Sequence, residues 1–120
     1  MTEVTSRFDL VTIDSPHPDR LAAFWIEVLL LHETEREDGD RWIVLSCADD
    51  VRRIGVQRGV HRRGGVHLDL ACSPATFDGE VARLLRAGAV DLGPPRHESY
   101  GSIVNLADPD GNTFDLCAYR

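Results

Sequence analysis

The chain has 120 residues and a net charge of −7, with 42% hydrophobic and 28% charged residues. This is the length of one ordinary domain, and the composition is that of a chain that buries a core rather than of a disordered one. The acidic balance argues against a nucleic-acid partner, because it repels a phosphate backbone. No apolar run approaches the roughly 20 residues that span a bilayer, so we expect no membrane partner either.

Cysteine usage indicates the compartment. Cys47, Cys72 and Cys117 are odd in number, and none of them belongs to a CxxC pair. Reduced thiols fit this pattern better than a disulfide framework. The first ten residues also lack a basic stretch followed by an apolar one. We therefore expect a cytoplasmic protein.

In chain order, the first elements predicted are a strand over residues 10–14 and a helix over residues 19–29. Apolar residues recur in the helix at i, i+3, i+4 and i+7, which indicates one buried face. A short strand near residues 31–35 and two further strands over 41–46 and 54–57 follow. The order of this half is therefore strand, helix and three strands.

The second half repeats this order after a linker over residues 60–65. A strand over 67–71 precedes a helix over 77–88, and two strands are predicted over 102–106 and 113–116. The polar stretch 94–101 is predicted to be a loop; an ordinary surface loop is favoured, and a loop over the mouth of a cleft is the alternative. Internal repetition of this kind predicts one domain, residues 1–120, made of two modules at about 6–59 and 65–119.

Strand alternation predicts which side chains of the second module share a face. His67, Asp69 and Ala71 would point away from the helix, since Leu68 and Leu70 pack on it. By the same alternation, Thr113, Asp115 and Cys117 point away from the helix. An imidazole and a carboxylate are therefore predicted to be neighbours on two paired strands.

Two motifs resemble a known superfamily when they are taken together with the duplicated halves. They are Leu-Ala-Ala-Phe-Trp in the first helix and Ala-Asp-Pro-Asp-Gly-Asn-Thr-Phe-Asp-Leu near the end. Over most of its length the chain resembles the vicinal-oxygen-chelate superfamily of glyoxalases, bleomycin-resistance proteins and dihydroxybiphenyl dioxygenases, and within it the glyoxalase-like branch. The resemblance implies an α+β fold of two tandem βαβββ modules. Their strands would form a curved mixed sheet around a cleft, with the helices on the outer face.

The resemblance also implies a site, because metal ligands in this superfamily come from the first and last strands of each module. In the second module these positions are His67 and Asp115, and in the first they fall on Leu10 and Gln57. Imidazole and carboxylate, with the Gln57 amide, would suit a divalent Fe, Mn, Ni or Zn ion. Only half of a four-ligand set is present, so a site without metal stays open. Other residues expected to line the cleft are Leu10, Thr12, Asp69 and Tyr100.

Three interpretations of His67 follow. It is a metal ligand, a general base oriented by a carboxylate, or a histidine retained from a metal-binding ancestor. At the level of function, the chain is either a lyase, isomerase or dioxygenase acting on a small molecule, with His67 and Asp115 as catalytic residues, or a protein that sequesters such a molecule without reaction. The resemblance further implies a homodimer.

Overall fold

A computed structural model of the chain describes residues 10–48, 53–62, 64 and 66–120. The start of the predicted first module, residues 6–9, and two residues of the predicted linker, 63 and 65, lie outside this range. Two α-helices are present, α1 over Pro18–Leu29 and α2 over Phe77–Ala87. The strands, in chain order, are β1 Val11–Ser15, β2 His32–Glu37, β3 Trp42–Ser46, β4 Ile54–Arg58, β5 Leu68–Cys72, β6 Val90–Asp91, β7 Arg96–Glu98, β8 Gly101–Ala107 and β9 Thr113–Tyr119.

The strands form two mixed sheets, one for each module. In the first sheet the order is β1-β4-β3-β2, with β1 parallel to β4 and the other pairs antiparallel. In the second, β5 lies parallel to β9, and β9 lies antiparallel to β8. Each sheet thus has the βαβββ connectivity, and the prediction of an α+β fold with tandem modules is confirmed.

One predicted loop is partly a strand. Within residues 94–101, β7 pairs antiparallel with β8, and β6 pairs with the other end of the same strand. Together β6 and β7 take the place that β2 has in the first sheet. Pro94 and Pro95 lie between them, and proline has no backbone N–H to donate, so the strand is interrupted there. The polar composition and the two prolines explain why this edge strand was not predicted from the sequence.

Helix α1 forms the centre of the core. Its apolar face is buried, as the spacing predicted, and Phe24 and Trp25 are nearly inaccessible to solvent. Their rings contact Phe114 of β9 at centroid distances of 6.0 and 5.3 Å in edge-on geometry. A helix of the first module therefore packs against the sheet of the second, and the two modules share one core.

The turn between β8 and β9 fastens the modules together. The buried Asp108 carboxylate accepts hydrogen bonds from the indole Nε1 of Trp25 and from the backbone and side chain of Asn112. Two residues later, Asp110 binds Ser15 and Arg20. Since Ser15, Arg20 and Trp25 belong to β1 and α1, the Asp-Pro-Asp-Gly-Asn turn anchors the first module to the second.

Among the described residues, neither helix has the length and apolar character needed to cross a membrane.

Candidate functional site

A polar cluster lies on the face of the second sheet that points away from α2. Strand β5 places Asp69 directly beside Asp115 of β9, and β8 places Asn105 on the other side of Asp115. Phe114 and Leu116 alternate with Asp115 and are buried in the core. The strand register therefore gathers polar side chains on one face, because their apolar neighbours occupy the other.

Three potential metal ligands meet in this cluster. The ligand atoms of His67, Asp69 and Asp115 all lie within 4.8 Å of one another. The distance from His67 Nε2 to Asp69 Oδ1 is 3.7 Å, and Asn105 Nδ2 donates a hydrogen bond to Asp115 Oδ1. The structure thus brings His67 and Asp115 together, as the sequence indicated, and adds Asp69 to them.

The cluster is open to solvent in a single chain. The side chains of His67 and Asp69 are 59% and 67% exposed, whereas Asp115 is partly buried. Among the described residues, the ion-pair partner of Asp69 is the neighbouring His67 and not an arginine. Nothing from the first module is among the three residues of the cluster.

The donor set fits a divalent cation. One imidazole nitrogen and two carboxylates are the ligands that Mn, Fe and Zn accept, and their mutual distances allow a single ion to contact all three. The hydrogen bond from Asn105 fixes the orientation of Asp115, which is the usual task of a residue behind a metal ligand. His67, Asp69 and Asp115 are thus the residues that would hold a metal.

In the described part of the first module, the equivalent face carries no such group. Thr12 lies opposite Gly55 in the pairing of β1 with β4, as Asp69 lies opposite Asp115 in the pairing of β5 with β9. Gly55, rather than Gln57, therefore occupies the place of Asp115, and Leu10 occupies that of His67. A shift of two residues along a strand keeps the same face, so alternation alone could not distinguish Gly55 from Gln57.

An indole covers this face instead. A Cβ atom added to Gly55 would lie 2.4 Å from Cη2 of Trp42 and 3.2 Å from Cδ1 of Leu10. The Trp42 ring therefore rests directly on the glycine backbone. Apolar groups occupy the positions where the second module carries its imidazole and carboxylates. Gln57 lies two pairs further along, opposite Trp42.

The remaining predicted residues lie apart from one another. Thr12 lines a small cavity of about 140 Å³ with Asp14, Val66 and Asn112. Tyr100 lies at the start of β8 with its ring 6.2 Å from that of Tyr119. The sequence interpretation had missed Tyr119, although alternation from Asp115 through Cys117 places it on the same face.

Tyr119 lies two residues beyond Cys117 on β9. The neighbouring Cys117 side chain raises the pKa of Tyr119, with smaller contributions from burial and from Asp69 and Tyr100. The neutral phenol is thereby favoured, and it can act as a hydrogen-bond donor.

A groove of about 530 Å³ runs between the two modules along the open edges of β1 and β5. Consecutive residues of β5 line it, from Leu68 to Ala71, which shows that it follows the strand edge rather than one face. Its walls are largely apolar and include Val11, Val28 and Leu30. Arg83 and Glu80 of α2 form a polar end of the groove.

The fold and the position of the cluster define the class of protein. The model of the glyoxalase-like domain family matches residues 10–117, and the chain belongs to this family. The resemblance to the vicinal-oxygen-chelate superfamily is thereby confirmed. No curated protein sequence matches the chain.

Solved structures with the same fold include two kinds of antibiotic-related protein. The fosfomycin resistance protein FosX from Mesorhizobium loti is 18% identical, with a TM-score of 0.74 over 98% of this chain and 95% of that chain. TnmS3, an antibiotic-binding protein from Streptomyces sp. CB03234, is also 18% identical, with a TM-score of 0.74 over 99% and 100% of the two chains. A mutant of FosX from Listeria monocytogenes, solved with Mn(II) and 1S,2S-dihydroxypropylphosphonic acid, is 18% identical with a TM-score of 0.76 over 98% and 93%. At this identity the likeness concerns the fold.

Proposed function

We propose that this chain binds a small organic molecule at the open face of its second module, with a divalent cation held by His67, Asp69 and Asp115. The observation that carries the proposal is the convergence of three donor side chains within 4.8 Å. The Mn(II) in the Listeria FosX structure supports it as a property of a protein with the same fold.

The residues of the cluster would divide the work between them. Asn105 orients the Asp115 carboxylate, and the Asp69 carboxylate lies 3.7 Å from His67 Nε2, so that both could contact one cation. A bound divalent cation would supply Lewis acidity toward a carbonyl or hydroxyl oxygen of the small molecule. In this arrangement His67 and Asp115 serve a lyase, isomerase or dioxygenase reaction.

Sequestration without reaction is the second candidate. It is favoured by the first module, where Leu10 and Gly55 stand in the positions equivalent to His67 and Asp115 and contribute no donor side chain. TnmS3 supports it as an antibiotic-binding protein of the same fold. In this case the ligand would be held by the shape and polarity of the face alone.

Manganese binding separates these candidates. We expect Mn²⁺ to bind the purified protein with one ion per chain, detected by loss of the free-ion signal in electron paramagnetic resonance. His67→Ala and Asp115→Asn should each weaken binding by at least about tenfold, because each removes one of three donors. The matched controls are His32→Ala and Asp78→Asn, which alter exposed residues outside the cluster and should bind like the wild type.

Equal binding by all four variants would contradict the metal site. Absence of stoichiometric Mn²⁺ binding, together with a thermal shift on screening antibiotic-like compounds, would favour sequestration.

We further propose that the protein acts as a homodimer in the cytoplasm, with a second copy packed along the groove between β1 and β5. Leu30 supports this. Its side chain is 74% exposed in the groove, and its backbone has the left-handed φ of 55° that glycine and asparagine adopt more easily. The left-handed backbone of Leu30 ends helix α1, and it presents to the groove a large apolar side chain that a contact with another chain would bury.

A second copy would also close the site. The His67–Asp69–Asp115 cluster is open in one chain, and the open edge of β5 runs beside it, so a partner packed on that edge would shield the cluster from bulk water. Such shielding strengthens the electrostatic interactions within a site.

A further inference from the structure

Two tyrosines stand half-exposed on the face that carries the polar cluster. The Tyr119 and Tyr100 residues are 57% and 46% exposed, and their ring planes are tilted by 44° at a centroid distance of 6.2 Å. They are the only tyrosines of the chain. Large aromatic rings left open beside polar groups are typical of ligand sites, where rings pack on a bound molecule.

The backbone fixes the positions of the two rings. Gly101 pairs with Tyr119 across β8 and β9, and Arg120 N donates to Tyr100 O at 3.0 Å. Gly101 has a φ of 141°, and a Cβ atom added to it would lie 2.0 Å from Ala118 O. Only glycine allows this close approach of the strands. Strand pairing therefore fixes the backbone from which both rings project.

The rings and the polar cluster lie at a distance that one ligand can span. Asp115 and Tyr119 are four residues apart on one strand, so their Cα atoms are separated by about 13 Å at roughly 3.3 Å per residue. Cys117, a small and buried residue, lies between them on the same face, and Ala71 is its partner on β5. Ile103 of β8 pairs with Cys117 on the other side, so the surface between the polar end and the aromatic end is apolar.

We propose that Tyr119 and Tyr100 form an aromatic subsite, which binds a planar fused-ring ligand whose oxygen-bearing end reaches His67, Asp69 and Asp115. The polar end of this assignment rests on the proposed function, whereas the aromatic end rests on the tyrosine pair alone. The net charge of −7 favours a neutral or cationic ligand over an anionic one. The ligand class is thus a neutral or cationic polycyclic aromatic compound with hydroxyl or carbonyl oxygens at one edge.

Two probes of equal size test the aromatic preference. We expect the protein in the presence of EDTA to bind 2-naphthol more tightly than decahydro-2-naphthol, by about tenfold, because the saturated molecule cannot stack on a tyrosine ring. Tyr119→Leu should remove this preference, and Tyr119→Phe should retain it to within about threefold. The comparison contains no metal, so its outcome is independent of manganese binding.

A second measurement uses the wild-type protein alone. The chain has two tyrosines, so a nuclear magnetic resonance spectrum contains two sets of tyrosine ring-proton signals. Both sets should shift when 2-naphthol is added. His32→Ala, an exposed residue outside the cluster, tested under the same metal-free conditions, should bind 2-naphthol to within about threefold of the wild type. Equal affinity for the two probes, unchanged binding by Tyr119→Leu, or tyrosine signals that do not move would each overturn the subsite. Failure of the manganese titration alone would remove the cation and leave the subsite in place.

Discussion

The absence of a side chain at Gly55 lets the Trp42 ring cover this face of the first sheet. The indole of Trp42 occupies the space in which a Cβ atom would lie, at 2.4 Å from that atom. The residue in the equivalent place of the second module is Asp115, which has a side chain and faces solvent-accessible partners. The two modules share a backbone plan, and single positions such as this one decide which side chains the equivalent faces carry.

Replacing Gly55 by alanine should force the indole away. We expect Gly55→Ala to lower the free energy of unfolding by about 1–3 kcal/mol, the usual cost of overpacking. Trp42 emission should move to longer wavelength as its ring becomes more exposed, and Trp25 is too deeply buried to mimic this change. Gly79→Ala is the matched control. A Cβ at Gly79 in α2 meets nothing within 4 Å, so this change should stabilise by about 0.5–1 kcal/mol. Urea unfolding of both variants gives the comparison.

Asp108 is a buried carboxylate whose hydrogen bonds are all accepted ones. It receives the indole Nε1 of Trp25, both nitrogen donors of Asn112 and the backbone N–H of Asp110. Burial raises the pKa of Asp108 above its ordinary value of 3.8, although the bonds from Asn112 and Asp110 oppose the shift. The folded protein therefore holds this proton more tightly than the unfolded chain does.

This raised pKa predicts the sign of a pH effect. The free energy of unfolding should fall as pH rises from about 3.8 to the pKa of the folded protein, because the unfolded chain releases the proton first. Asp108→Asn lacks this titration. This variant should be less stable than the wild type by about 1–3 kcal/mol, because the NH2 group of its amide would face N–H groups that need an acceptor. The difference between the two proteins should shrink as pH rises through the window. Urea unfolding of both proteins at a series of pH values measures this difference in stability. A difference that grows with pH would contradict the raised pKa of Asp108.

At the scale of elements, a side chain of α2 caps the C-terminal end of α1. The guanidinium of Arg83 donates to Glu27 O at 3.0 Å and to Val28 O at 2.8 Å, and its Nε donates to Glu80. The last carbonyls of a helix have no partner within the helix, so this arginine satisfies two of them. It joins the two helices of different modules.

Removing this cap should loosen the junction between the helices. We expect Arg83→Met to lower the free energy of unfolding by about 1–3 kcal/mol, because two backbone carbonyls lose a charged donor. Arg83→Lys should recover only part of the loss, since an ammonium group cannot reproduce the fork of guanidinium donors. Arg86→Met, at an exposed position of the same helix, is the control and should change stability by less than about 0.5 kcal/mol. An equal effect of both methionine variants would count against the capping role.

The edge strand β2 is exposed and highly charged. All six of its residues are exposed, and Arg36 forms ion pairs with Glu33 at 2.6 Å and with Asp19 at 2.7 Å. The guanidinium of Arg36 also lowers the pKa of Glu33. Surface pairs of this kind add little stability, but charges along a sheet edge discourage pairing with other chains. Association would therefore be directed away from β2 and toward the apolar edges of β1 and β5.

At the scale of the whole molecule, the proposed dimer can be tested without disturbing the fold. Asparagine tolerates the left-handed backbone of Leu30 better than leucine does. We therefore expect Leu30→Asn to keep or raise the thermal stability of the monomer and to weaken self-association by at least about tenfold. Sedimentation velocity over a concentration series measures the association.

Leu92→Asn serves as the control for this experiment, because Leu92 is also half-exposed but lies outside the groove. It should associate like the wild type. A wild type that is monomeric at every concentration would exclude the dimer, and so would association that Leu30→Asn leaves unchanged.

The sequence by itself determined the duplicated order of elements, the buried face of α1 and the side of the second sheet on which His67, Asp69 and Asp115 stand. These features are local, since they depend on helical spacing and on strand alternation within one segment. Their prediction required only that the repeated half be recognised.

The tertiary structure decided what depends on register between distant strands. It placed Gly55 rather than Gln57 opposite Thr12, brought Tyr119 beside Tyr100, and packed α1 against Phe114 of the other module. Alternation has a period of two and cannot distinguish positions two residues apart, and no local pattern reports which strand lies beside which. The hydrogen bonds between strands settle both, so the details of the site became visible only with the fold.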